Sequence, residues 1–239
     1  MCRESYSECD LPEYCSGETE FCPNDVFKRD TEECESGKAY CYQGSCRSHN
    51  DQCKVLWGPS GASSDQCYDK NSNGSRHGNC GYDRLKQEYI SCKQDDAMCG
   101  MLQCRHLNER LEFGMESVAI LSHSFMNYRG SIVPCRTAIV DLGLQSVDPG
   151  LTPDGAKCGD DKICVNQKCL AIDALVKQGK VIECGDCNGN GVCNSKGHCH
   201  CDEGWATPFC NEPGVGGSID SGPASDPNSK FKDFVSSGF

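Results

Sequence analysis

Twenty-three of the 239 residues are cysteine, a density that belongs to oxidised, extracellular scaffolds and is rare where thiols are kept reduced. Only 37% of the residues are hydrophobic and 26 are glycine, too little apolar volume for one core of this length. A covalent loop of about 15 residues removes unfolded-state entropy worth roughly 3 kcal/mol, so a few crosslinks per module can replace a missing core. The expected fold class is therefore a set of small disulfide-rich modules, mostly irregular loops with short strands and helices, in an elongated multi-module arrangement.

The net charge of −12 argues against nucleic acid and anionic lipid as partners, because both select basic surface. Proteins and cations remain. The longest aliphatic stretch is the four residues Val118–Leu121, far below the ~20 that span a bilayer. The chain opens "MCRESYSECD", polar where an export signal needs an apolar run, and this leads to the expectation of a fragment of a longer exported protein. No His-Glu-x-x-His pattern occurs, so zinc-protease chemistry lacks its two histidines and its glutamate. A thiol oxidoreductase resting on "CGDC" is the best enzymatic alternative, and the six-cysteine spacing around it argues against it.

Cysteine spacing divides the chain into residues 1–31, 32–179, 180–211 and 212–239. The first block is turn-rich and acidic. The second holds thirteen cysteines and the strand candidates "ESVAILS" and "TAIVDLG". The third holds six cysteines separated by two, five, five, one and eight residues. The last is rich in Gly, Ser, Pro and Asp, the composition of a flexible stalk. The six-cysteine spacing resembles an epidermal growth factor-like module, which implies the pairs Cys184–Cys193, Cys187–Cys199 and Cys201–Cys210. The spacing alone allows fifteen connectivities, and "CGDC" with "HCHC" also offers donors for zinc.

In the first block Asp10, Glu13 and Asp25 fall within one crosslinked loop. Convergent carboxylates suit calcium, which takes six to eight oxygens in a flexible cage. A solvated acidic turn is the alternative. The ordered motifs "CDLPEYCSG", "FCPNDVF", "AYCYQGSC", "LWGPSGA", "GNCG", "CGMLQC", "DPGL", "GAKCGDDKICVNQKC" and "GGSIDSGP" resemble the ADAM metalloproteinase-disintegrin family, closest to its meltrin-type members. This resemblance implies that residues 1–31 are the C-terminal part of a disintegrin domain, 32–179 a cysteine-rich domain, 180–211 an epidermal growth factor-like module and 212–239 a juxtamembrane stalk. It implies structural calcium held by Asp10, Glu13 and Asp25, with carbonyls from Leu11 and Val26, and no zinc in this chain. It also implies the pairs Cys2–Cys22 and Cys9–Cys41, and an upstream partner for Cys15. An arginine, then six intervening residues, then "DLPE" and an aromatic is a pattern associated in the family with integrin recognition. Arg3, Glu8, Asp10 and Tyr14 are thus candidate integrin contacts.

Thirty residues without cysteine separate Cys104 from Cys135. The corresponding family region is variable and associated with partner choice, and aromatic, methionine and arginine side chains carry interface energy. Phe125, Met126, Tyr128 and Arg129 are the candidates, with Phe113 and Met115 behind them, whereas "SVAIL" suits a core strand. Asn73 in "NGS" is a glycosylation acceptor on an expected surface loop. The expected function is that of a non-catalytic adhesion and substrate-recognition region, binding integrins, other cell-surface or matrix proteins, or protease substrates. It would lie on the extracellular face of the plasma membrane. The alternatives are metalloendopeptidase activity, which would belong to a parent protein, and a natural secreted short form acting as competitive antagonist.

Overall fold

The computed structural model describes residues 1–17, 19–108, 110–112, 117–140, 142–143 and 148–224. It divides into two compact units, one made of Met1–Cys34, Cys41–Cys46 and the chain from Leu175 onward, the other of Glu35–Tyr40 and Arg47–Ala174. Among the described residues eleven disulfides are formed, and Cys15 is exposed without one. No helix of the described residues is long and apolar enough to cross a membrane. Short strands β1 (Glu33–Cys34), β2 (Ala39–Tyr42) and β3 (Ser45–Arg47) form a three-stranded sheet.

In the second unit helix α1 (His49–Trp57) starts where the Ser48 hydroxyl accepts from the Asp51 amide and stops at Gly58, whose φ of 80° leaves the helix. That is ordinary N-capping followed by a glycine stop. Its buried face, Cys53, Leu56 and Trp57, packs on Leu102, Cys104, Leu111, Ala138 and Val140, and the Cys53–Cys104 bridge runs through this core. The remaining strands of the unit are β4 (Ala62–Ser63), β5 (Tyr82–Asp83), β6 (Glu88–Tyr89), β7 (Cys104–Arg105), β8 (Ala119–Tyr128), β9 (Ser131–Val140), β10 (Lys157–Gly159), β11 (Lys162–Val165) and β12 (Lys168–Ala171). Helix α2 spans Ile172–Lys177. The main sheet has the order β4-β7-β9-β8, with β5-β6 and β10-β11-β12 as separate antiparallel sheets.

The two strand candidates of the sequence are the start of β8 and the end of β9. Ala119 and Leu121 pack against the α1 core, as a strand with one inward face should. The hairpin closes on Arg129 and Gly130, with φ of 50° and 82°, the paired left-handed geometry of a two-residue turn that matches strand twist. Cys67–Cys135 ties β9 to the 3-10 helix Asp65–Asn73. With a sequence separation of 68, such a loop closure removes on the order of 4 kcal/mol of unfolded-state entropy.

In the first unit strands β13 (Gly191–Cys193) and β14 (Cys199–Cys201) pair as a small hairpin, braced by Cys184–Cys193, Cys187–Cys199 and Cys201–Cys210. The thiolates that a zinc site would need are thus consumed. The segment expected as a flexible stalk departs from that expectation over its first half. Residues Gly217–Ser218 (β15) and Gly222–Pro223 (β16) extend the hairpin to four strands. Small polar side chains hold them there: Ser218 and Ser221 hydroxyls lie 2.7 Å apart, Ser221 Oγ is 3.0 Å from His200 Nδ1, and Asp220 accepts from Asn194 at 2.8 Å. Residues 225–239 of the expected stalk lie outside the described residues.

Candidate functional sites

The acidic cluster of residues 10–25 is assembled around a cation supplied by the chain itself. Arg3 reaches it because residues 2–3 and Glu13 share main-chain hydrogen bonds of 2.8–3.1 Å, an isolated antiparallel bridge. Its guanidinium donates to both Asp10 oxygens at 2.5 and 2.9 Å, to Glu13 Oε1 at 2.9 Å and to the Leu11 carbonyl at 2.9 Å. Arg3 Nε also bonds Glu13 Oε2 and lies 3.3 Å from Asp25. The Glu13 carboxylate is 0% exposed and takes a further bond from the Val26 amide at 2.9 Å. A buried carboxylate needs such pairing. Hydrogen bonds to Asp10 and Glu13 hold the Arg3 guanidinium protonated above even its usual range. Burial pushes the Asp10 carboxyl upward, but the bonds from Arg3 and the Tyr6 amide outweigh it and keep the group below the ordinary carboxylate range.

Four of the five groups expected to hold calcium, Asp10, Leu11, Glu13 and Asp25, therefore converge on one positive charge. Val26 contributes its N–H to Glu13. Oxygen donors gathered around a cation have the chemistry calcium requires. Here the cation is Arg3, so a metal ion would have to displace the guanidinium.

The same geometry changes the picture of the N-terminal loop as an integrin surface. Arg3 and Asp10 are turned into each other, and Tyr14 is buried, its ring 6.3 Å from that of His200. Glu8 is exposed. Tyr6 is the most exposed aromatic of the loop and stacks under Arg3 at 4.8 Å, a residue the motif reading passed over because it falls between the motif positions. Cys2–Cys22 and Cys9–Cys41 are both joined.

In the other unit the candidates of the cysteine-free interval lie at the far end of the β8–β9 hairpin. Phe125 is 66% and Tyr128 41% exposed, Met126 is half-buried, and Arg129 stacks over Tyr128 at 5.2 Å. Ile132, 74% exposed, belongs with them and was missed. It pairs with Asn127, while Phe125 pairs with Pro134, so Phe125 and Ile132 are diagonal neighbours on one face. Met126 and Tyr128 occupy the opposite face. The signal that could have found Ile132 is the Arg-Gly turn, which fixes register and therefore face. Phe113 and Met115 lie outside the described residues. Asn73 is exposed at the end of its 3-10 helix.

The ADAM cysteine-rich family model matches residues 30–150, half of the chain and the part that contains this hairpin. The chain belongs to that family. The ADAM cysteine-rich chain is 42% identical over 230 residues to disintegrin and metalloproteinase domain-containing protein 19 of Homo sapiens, covering 93% of itself and 23% of that protein. It is 42% identical to protein 9 of Homo sapiens over 93% of itself and 26% of the relative. With protein adm-2 of Caenorhabditis elegans the identity is 41%, over 94% and 24%. These similarities fit a meltrin-type member. The ADAM chain thus spans about a quarter of the length of these curated relatives.

Proposed function

We propose that this chain is the extracellular partner-recognition region of an ADAM-type protein, and that the β8–β9 hairpin is its contact surface for cell-surface proteins, integrins among them, matrix proteins or protease substrates. The observation that carries this reading is the exposure of Phe125 and Ile132 on one face, and of Tyr128 on the other, at the end of a hairpin tied midway along β9 by Cys67–Cys135. Rigid exposed aromatic and aliphatic groups are what interface anchors are made of. Metalloendopeptidase activity is a property proposed for the longer relatives' kind of protein, in which this region would select substrates; a secreted short form would compete for the same partners. Calcium in the Asp10, Glu13 and Asp25 cluster is a structural cofactor in this proposal.

The test is adhesion of cells to the immobilised chain. Replacing residues 122–130 by the same stretch of a distant relative, or Phe125 and Ile132 by serine, should abolish adhesion while near-ultraviolet circular dichroism stays that of the wild type. Adhesion that survives both changes would refute the hairpin as the contact surface.

A further inference from the structure

The sheet order leaves β8 with a neighbour on one side only. Its ten residues pair with β9 without a bulge, and it contains no proline, lysine or acid of its own, the devices by which exposed edges are usually blunted; Lys70, from the 3-10 helix, covers one outward group, the Phe125 carbonyl. The register tells which groups face outward. In a hairpin closed by a two-residue turn the flanking pair, here Tyr128 and Ser131, exchanges both main-chain bonds, and the alternation then assigns the even-numbered residues of β8 to β9. Odd-numbered residues point their N–H and C=O away from the sheet. An independent contact agrees: the Phe125 carbonyl accepts from Lys70 Nζ at 3.1 Å.

We propose that β8 is a docking edge on which an extended, acidic segment of a partner protein adds as a further strand of the sheet. Main-chain hydrogen bonding supplies the affinity in such strand addition, and side chains at alternate positions supply the choice. Two features select the occupant. Residues 117–140 carry Arg129 and Arg136 and no acid, in a chain whose net charge is −12, and an incoming strand whose N–H takes over the Phe125 carbonyl releases the Lys70 ammonium at the edge, so negative side chains are favoured there. One face of the incoming strand would continue the face of Ile120 and Ile139, which line a 640 Å³ cleft together with Tyr82, Tyr89 and Leu142, so an apolar side chain fits on that side. The inference rests on the hairpin being the recognition surface and adds how it recognises.

The probe is a short capped peptide alternating valine and glutamate, titrated onto the full chain by fluorescence anisotropy, with hydrogen exchange followed at β8. Saturable binding that protects the amides of Leu121, Phe125 and Asn127 is expected. The same peptide N-methylated at every second residue, or with lysine for glutamate, should bind about tenfold more weakly or worse. Asn127→Pro removes an outward N–H together with the Asn127 Oδ1 bond to the Gly130 amide, and should weaken binding similarly, whereas Asn127→Ala, which loses only that side-chain bond, should bind as the wild type does. Should the proline variant misfold, the N-methylated peptide decides alone. Equal binding of the methylated peptide, absence of saturable binding, or β8 protection produced by self-association in sedimentation would each overturn the proposal, the last in favour of a second copy as occupant. If the 122–130 exchange abolishes cell adhesion while the peptide does not bind, only the strand-addition mode falls.

Discussion

At the scale of single residues the protein answers a buried negative charge with its own arginine. Removing one partner of a buried pair leaves the other uncompensated, a change that costs about 3 kcal/mol or more. Arg3→Ala should therefore lower stability by roughly that amount in chelator, read from denaturant midpoints, because Glu13 stays buried with only the Val26 amide for company. If calcium takes the seat of the guanidinium, the same variant should bind calcium more tightly than the wild type in calorimetric titration. Weaker or equal binding would place the metal elsewhere. His200 gives a second expectation. Burial depresses its folded-state pKa, against the smaller opposing influence of Asp202 and Glu13, so unfolding takes up a proton below the unfolded value of about 6.5. The stabilisation by neutral His200 is complete above that pH and is lost as the pH falls toward the folded pKa. Amides of Gly217 and Ser221, next to the His200–Ser221 bond, should exchange faster as the pH falls below about 6.5, after correction for intrinsic rates, and His200→Gln should flatten that dependence. Asp10 acts in the same direction at lower pH, since its depressed carboxyl stabilises the fold only while ionised.

At the scale of elements the difference between what was legible and what was not is physical. β8 and β9 were legible as short apolar runs, Val118–Leu121 and Ala138–Val140, which suit a core strand. The six-cysteine hairpin was legible from spacing. The strap of β15 and β16 was not, since glycine, serine and aspartate read as a linker unless their long-range partners are known. Here those partners are His200, Asn194 and the Tyr14 main chain, whose amide donates to the Ser221 carbonyl at 2.7 Å. The cation among the carboxylates was equally hidden, because charge spacing tells that acids converge and not on what. Gly222 marks how tightly the strap sits. Its φ is +82°, and a Cβ there would lie 2.4 Å from the Tyr14 carbonyl oxygen. Gly222→Ala should cost on the order of 1–3 kcal/mol and release protection at Gly217 and Ser218, with β8 and β9 unaffected. Full protection of the strap in that variant would contradict the close approach.

At the scale of the whole molecule crosslinks and charges do unequal shares of the stabilisation. The second unit closes five disulfides within Arg47–Ala174, namely Cys53–Cys104, Cys67–Cys135, Cys80–Cys92, Cys99–Cys164 and Cys158–Cys169. Each is worth about 2–4 kcal/mol, and a domain has only about 5–15 kcal/mol in all. Losing several must therefore unfold it, since the α1 core is one small cluster around Trp57 and Leu102. A bound ion contributes far less, about 2.7 kcal/mol at a hundredfold excess over its dissociation constant, and Arg3 already compensates the acids without it. The two treatments should thus separate cleanly in thermal melts. Chelator should shift the transition by a few degrees and confine the change to the first unit, where the acids lie. Reductant should abolish the cooperative transition and expose the amides of Trp57, Leu102 and Val140 to exchange. A reduced chain that still melts cooperatively would mean that apolar packing, and not sulfur, holds this sequence together.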